Sequence, residues 1–272
     1  MISECLVGKG FNSDVYAWGD GRVLKLFYNW VSPAKIEREF ISTRAIHATG
    51  LPVPAVHEMI EIEGRRGIIF ERIDGISVMS HVQAKPWEMF RLTRQLAELQ
   101  AQIHRCACPN ELPSQRDWIA GRLEVLDLPT DEKEDVQRCL AALPDGNAIC
   151  HGDFHPENVL LTRRGLVVID WDTATRGHPL GDVACTSRLI RIAELPPWAP
   201  RFMHLLVKCS RVLLHRTYLR RYLQVHPGTW EQIETWQKAI SKAFGAWRMP
   251  GQDVNAASRE GTSLSDNCQL SS

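Results

Sequence analysis

The run His151-Gly152-Asp153-Phe154-His155-Pro156-Glu157-Asn158, followed by Val167-Val168-Ile169-Asp170, sets two carboxylates and an amide at fixed offsets. Asp153 precedes Asn158 by five residues, and Asp170 lies twelve further on. These groups suit phosphoryl transfer, which needs positioning and charge neutralisation more than covalent help. One carboxylate must accept or orient the proton of an attacking hydroxyl, and Asp153 suits that role. An amide oxygen and a second carboxylate must hold Mg²⁺ against phosphates, because Mg²⁺ takes hard oxygen ligands. Asn158 and Asp170 suit that role.

Several elements must position these groups. Leu160-Leu161, the turn Arg163-Arg164-Gly165 and Leu166 to Ile169 read as a short hairpin that returns Asp170 beside Asn158. At the amino-terminal end, Gly8, Gly10, Ser13 and Val15 follow the offsets of a phosphate-binding glycine loop, with Ser at the third small position. One hairpin later, Lys25 sits between Leu24 and Leu26, placed to reach the α- and β-phosphates of a nucleotide. Such a lysine needs a carboxylate on the following helix. Glu37 and Glu39 both qualify, since one shares a helical stripe with Ile41 and the other with Ile36 and Thr43. Phe70-Glu71-Arg72-Ile73 leads into Asp74-Gly75, where the backbone of Glu71 and Ile73 would meet an adenine.

Up to about residue 74 the chain reads mostly as strands. Turns fall at Gly19-Asp20-Gly21 and Glu63-Gly64, and one helix starts at Ser32-Pro33 and stops at Gly50. Beyond Asp74-Gly75 helical spacing takes over, with Leu92, Leu96, Leu99 and Ile103 on one stripe and Phe202, Leu205, Cys209, Val212 and Leu219 on another. Three regions are expected: 1–74, nucleotide-binding; 75–250, catalytic and acceptor-binding; and 251–272, a disordered polar tail.

The 272 residues are 44% hydrophobic with zero formal net charge, which gives no bias towards nucleic acid or membrane. The charge is uneven. Ser187 to Arg248 carries 11 Lys/Arg against 3 Asp/Glu, leaving 21 against 29 in the remainder. The eight cysteines show no paired framework, and Cys106-Ala107-Cys108 near His104 lacks a second ligand pair, so it reads as thiols at a helix end. Met1 to Glu4 lacks a basic, apolar signal and no apolar run spans a membrane, so a cytoplasmic location is expected.

Together these motifs resemble the aminoglycoside phosphotransferase family of small-molecule kinases. The likeness is strongest over HGDFHPENVLL and VVIDWDTATRGHPLGDVA, and extends to the Leu51-Pro52-Val53-Pro54 run. It implies an α+β, protein kinase-like bilobal fold, with a small antiparallel-sheet N-lobe and a mainly helical C-lobe. It implies Asp153 as the catalytic base, Asn158 and Asp170 as Mg²⁺ ligands, and Glu39 as the partner of Lys25. His151 and Asp182 would brace the catalytic loop. The co-substrate would be ATP, with GTP as an alternative, and the acceptor a hydroxyl of a small molecule. No nucleic acid or membrane partner is expected, and the oligomeric state is left open. Two departures from protein kinases narrow the class. His155 stands where Ser/Thr kinases place Lys, and Asp170 to Gly181 has no room for a large activation loop. A protein kinase and a non-catalytic nucleotide-binding protein are the competing readings. The basic segment after Ser187 argues against a polycationic aminoglycoside as acceptor.

Overall fold

The computed structural model describes residues 5–124, 129–192 and 201–245, with the backbone alone at 122, 192, 201–209 and 242–245. The first half of the site is carried by a five-stranded antiparallel sheet. Strands β1 (Leu6–Lys9), β2 (Ser13–Ala17), β3 (Arg22–Phe27), β4 (Val56–Ile62) and β5 (Arg65–Glu71) lie in the order β1-β2-β3-β5-β4. The two tight turns form as expected, with positive φ at Gly19, Gly21, Glu63 and Gly64. Helix α1 (Pro33–His47) starts at Ser32, whose hydroxyl accepts from the Lys35 amide.

Alternation along β3 decides which way Lys25 points. Leu24 and Leu26 pack with Ile69 on one face of the sheet. Phe27 packs with Ile36 of α1 on the other, with Val23 against the same cluster. Lys25 shares the parity of Val23 and Phe27, so it faces α1. The α1 face turned towards it buries Ile36, Glu39, Thr43 and Ile46, while Glu37 is exposed.

The rest is mainly helical: α2 (Val78–Ala84), α3 (Met89–Arg105), α4 (Gln115–Glu124), α5 (Thr130–Ala141), α6 (Pro179–Ile192), α7 (Arg201–Val225) and α8 (Trp230–Gly245). Leu92, Leu96, Leu99 and Ile103 of α3 are buried as their spacing predicts. Each contributes about 1.5–3 kcal/mol by leaving water. Helix α3 packs against α7, and α6 against α8. In the second stripe Val212 is 47% exposed and Leu219 is buried. The side chains of Phe202, Leu205 and Cys209 lie outside the described residues, as do Met1 to Glu4 and the tail at 251–272.

The helical part also contains short strands that carry no readable periodicity. The chain does not turn helical directly after Asp74-Gly75. A strand β6 (Gly75–Ser77) comes first and pairs with β8 (Val159–Thr162), the first arm of the expected hairpin, whose second arm is β9 (Gly165–Val168). Likewise β7 (Ala148–Cys150) pairs with β10 (Thr175–Gly177). Three residues are too few to show alternation, and only cross-strand bonding holds them extended.

One apolar cluster underlies the site. It joins Leu51 and Val53 to Leu92 and Leu99 of α3 and to Phe154, Val159, Val168 and Trp171 around the polar loop. The Val168 amide donates to the Pro52 carbonyl at 2.8 Å, which ties the Leu-Pro-Val-Pro run to β9.

Candidate active site

The run 151–158 forms the loop between β7 and β8, and its apolar members fasten it from below. Phe154 is buried, and His151 is wedged beside Trp171 with ring centroids 4.5 Å apart. Gly152 sits at φ +81, and a Cβ there would lie 2.8 Å from the Thr173 carbonyl, so both conformation and space demand glycine. His151 is fully buried. Its Nδ1 accepts from the Asp153 amide at 3.3 Å, which leaves the ring proton on Nε2 to be donated to the Ile169 carbonyl at 3.1 Å. Both nitrogens are therefore occupied in joining the Asp153 segment to the Asp170 segment.

Asp153 is partly exposed. The Asn158 Nδ2 donates to its carbonyl at 3.0 Å and to its Oδ2 at 3.3 Å. That commits the amide nitrogen of Asn158 and leaves its oxygen as the group for a cation. The His155 Nε2 lies 3.5 Å from the Asp153 Oδ2. Burial presses the His155 imidazole down, but the hydrogen bond and charge of Asp153 outweigh it and raise its pKa above the ordinary value.

On the opposite wall, Lys25 Nζ donates to Glu39 Oε1 at 2.6 Å and to Asp170 Oδ1 at 2.8 Å. Glu39, not Glu37, is thus the residue that meets the lysine. Burial works against the charge on Lys25, yet Asp170 and Glu39 hold the ammonium above the usual lysine range. Burial also opposes ionisation of Asp170, but Lys25 keeps its carboxyl below the usual range. For Glu39 burial wins over Lys25 and pushes the carboxyl up to about 7. Asp170 has φ +64, a left-handed conformation that few residues other than Gly, Asn or Asp tolerate.

The residues present fit a hard cation. Glu39, Asp170 and Asp172 each bring an oxygen within 4.8 Å of the others, and the buried Glu39 Oε2 has no protein partner. Asp172 is also held by Lys35 Nζ at 2.8 Å. It went unassigned at the sequence level, although an acid two residues after Asp170 was a readable signal.

Asp182, on the first turn of α6, does not cap its own helix. It is fully buried and accepts from the Gly152 amide at 2.7 Å, Gln100 Nε2 at 2.8 Å and His104 Nε2 at 3.0 Å. Burial pushes its carboxyl up, but the His104 contact and the Gly152 amide bring it below the usual range. His104 Nδ1 meets the Tyr222 hydroxyl at 2.6 Å, and the Tyr218 hydroxyl donates to Gln100 Oε1. His104 is thus committed to this network and not to the neighbouring thiols of Cys106 and Cys108, which are free.

The loop from Gly8 to Ser13 closes on itself through its backbone. The Gly10 amide donates to the Ser13 carbonyl at 2.8 Å, Gly8 pairs with Val15 between β1 and β2, and Ser13 itself is buried at the start of β2. The amides of Phe11 and Asn12, at the tip, have no protein acceptor among the described residues. At the other end, Glu71 closes onto Ala55, accepting from its amide through Oε2 at 3.1 Å and donating its own amide to the Ala55 carbonyl at 2.8 Å. The Ile73 backbone is unpartnered among the described residues.

The sequence profile of the phosphotransferase enzyme family matches residues 4–210, a span that holds all of these groups except Tyr218 and Tyr222. The chain belongs to that family. An aminoglycoside 3'-phosphotransferase of Streptomyces fradiae is 26% identical over 180 residues, covering 58% of this chain and 65% of that protein. A segment of 84 residues, 29% of this chain, is 31% identical to acyl-CoA dehydrogenase family member 11 of Gallus gallus, of which it covers 9%. The chain therefore spans less than two thirds of the length of either relative. Among solved structures, an aminoglycoside-3'-phosphotransferase of type VIII superposes with a TM-score of 0.62 at 20% identity, covering 89% of this chain and 93% of the other. A choline/ethanolamine kinase family protein from Mesorhizobium loti gives 0.59 at 18% identity, covering 90% and 78%. An amicoumacin kinase solved with AMP-PNP and Ca²⁺ gives 0.60 at 14%, covering 94% and 86%. These likenesses establish the kinase-like α+β fold within this family.

Proposed function

We propose that the chain transfers the γ-phosphoryl group of ATP to a hydroxyl of a small molecule. The observation that carries this reading is the double contact of Lys25 with Glu39 and Asp170, which joins the sheet wall to the Asp170 segment beside the Asp153–Asn158 loop. In this reading residues up to 74 hold the nucleotide, with the unpartnered loop amides of Phe11 and Asn12 facing phosphate and the Ile73 backbone facing adenine. Residues from 75 hold the catalytic loop and the acceptor. Among the described residues no helix is long and apolar enough to cross a membrane.

Lys25 is placed to move its contact from Asp170 to the α- and β-phosphates while Glu39 keeps it oriented. The freed Asp170 carboxylate and the Asn158 oxygen would hold Mg²⁺, with Asp172 at its edge. Bound there, Mg²⁺ neutralises charge on the phosphates and orients the terminal one. Asp153 accepts the proton of the acceptor hydroxyl as the new P–O bond forms, and the bond to the β-phosphate oxygen breaks to release ADP. His151, Gly152 and Asp182 hold the loop in place during this exchange.

A coupled ADP-release assay over amino alcohols, sugars and antibiotics, with ATP and GTP compared, tests the reading. Turnover is expected with ATP and Mg²⁺. Asp153→Ala should lower kcat by roughly 10²–10⁴-fold, the usual contribution of a general base, while ATP still binds. Equal turnover in that variant removes Asp153 from the chemistry. Tight ATP binding by the wild type without transfer or slow hydrolysis would make the chain a nucleotide-binding protein instead.

A further inference from the structure

Away from the cleft, α6, α7 and α8 line a half-open pocket of about 530 Å³ whose charge is unbalanced. Arg191 of α6 and Arg211 and Arg216 of α7 line it, opposed by the single carboxylate of Glu234. None of the three guanidiniums has an acidic partner among the described residues. Arg211, His215 and Leu219 recur at helical spacing with Val212 and Arg216 beside them, so one face of α7 supplies both the charge and part of the apolar floor. Ile233 completes that floor, and Trp230, 39% exposed, forms a wall.

The polar interior is built to stay uncharged. The Ser187 hydroxyl accepts from Gln237 Nε2 at 2.7 Å and lies 2.5 Å from His215 Nε2. The hydroxyl still holds its own proton, and where it donates this to His215 the imidazole proton sits on Nδ1. That N–H has no acceptor among the described residues. Burial, with Arg191 and Arg216 nearby, presses the His215 pKa down to about 4, so the ring is a neutral donor at ordinary pH.

We propose that this cavity binds an organic anion, a carboxylate or phosphate ester carried on a planar or apolar body. Guanidinium forks pair with either anion through two parallel hydrogen bonds, the His215 N–H adds a third donor direction, and Trp230, Leu219 and Ile233 cover the body. Asp182 and Arg191 stand nine residues apart on α6, roughly 14 Å at the usual helical rise. The pocket is therefore distinct from the position of the transferred phosphoryl group but mounted on the helix that braces the catalytic loop. The proposal does not depend on phosphoryl transfer, because it concerns binding alone.

Ligand-observed NMR titration of the full chain with phenylacetate, phenyl phosphate, benzyl alcohol and benzylamine is the test. The two anions should bind, and the neutral and cationic probes should bind at least tenfold more weakly. Arg211→Ala/Arg216→Ala, at helix positions that alanine suits, should keep its helical circular dichroism and weaken both anions at least tenfold. Lys25→Ala should leave them unchanged. The idea is overturned if no anion binds, if benzyl alcohol binds equally, if the double variant changes affinity less than twofold, or if Lys25→Ala is the variant that abolishes binding. ADP release with 12-hydroxydodecanoate, whose extended chain sets its hydroxyl roughly 14 Å from its carboxylate, matching nine residues of helical rise, then separates two sources of the anion. Turnover that the arginine substitutions weaken makes it part of the acceptor, and binding without turnover makes it a separate ligand.

Discussion

The Gly152 amide donates to Asp182 Oδ1 at 2.7 Å across thirty positions of sequence, so α6 holds the Asp153–Asn158 loop by its backbone. The other oxygen of Asp182 is shared by Gln100 and His104 of α3. One buried carboxylate thus fixes the loop against two helices, and its loss leaves the Gly152 amide and His104 Nε2 without an acceptor and Gln100 Nε2 with Thr186 Oγ1 alone.

Asp182→Ala should therefore cost more stability than any change to Asp153. Breaking a buried, hydrogen-bonded charge typically costs about 3–5 kcal/mol, against little for the partly exposed Asp153. Urea denaturation of both variants checks the order. The pH dependence has a definite sign. A carboxyl held below its unfolded pKa stabilises above that pKa, and the contribution is lost as pH falls through the folded value. Wild type should lose this stability only below about pH 4, the ordinary aspartate pKa, and Asp182→Asn should show a flatter acid limb. An acid limb identical to wild type would show that Asp182 does not act as an ionised brace.

Glu39 predicts the opposite slope. Its folded carboxyl is pushed up to about 7, above the ordinary glutamate value of 4.5. Such a group binds its proton more tightly folded than unfolded, so its contribution is present at low pH and is lost between 4.5 and about 7. Metal- and nucleotide-free wild type should lose stability relative to Glu39→Gln between pH 5 and 7.5. Parallel denaturation curves at the two pH values would mean that Lys25 keeps Glu39 ionised throughout.

Asp170 combines a backbone and a charge requirement that substitution can separate. Asn tolerates the left-handed conformation found there, whereas Ala is strained by about 1–2 kcal/mol. Asp170→Asn should keep most of its stability, losing what the ion pair with Lys25 contributes, but lose the Mg²⁺ dependence of ATP affinity, read by calorimetry with and without Mg²⁺. Asp170→Ala should lose both. Unchanged Mg²⁺ dependence in Asp170→Asn would remove Asp170 as a ligand.

Much of this site is visible in local spacing. Asp153, Asn158 and Asp170 are set by one loop and one hairpin, and Lys25 by strand parity. The choice of Glu39 over Glu37 was not settled by phase, because each shares a stripe with an isoleucine. It follows from packing, since the Ile36 and Ile46 face of α1 turns to the sheet. Gln100 and His104 were passed over within the α3 stripe. Two polar residues four apart among Ala97, Ala101 and Ile103 did signal a buried pair, but their partners lie 78 or more positions away and no local pattern points to them. The strands β6, β7 and β10 were hidden for a related reason, as three residues acquire their conformation from the strand opposite.

His155 carries the last prediction. It stands where Ser/Thr kinases place Lys, close to the Asp153 carboxylate that raises its pKa. If the imidazolium shares in neutralising the phosphoryl group in flight, the rate should fall on the alkaline side as pH rises through that raised pKa. Lys in its place would keep its charge to about pH 10. His155→Lys should then hold activity above that raised pKa, where wild type declines, and His155→Ala should be slow at every pH. The pH dependence of kcat in the ADP-release assay decides it. A wild-type profile with no alkaline limb, or the same alkaline limb in His155→Lys, would show that His155 serves only to orient Asp153.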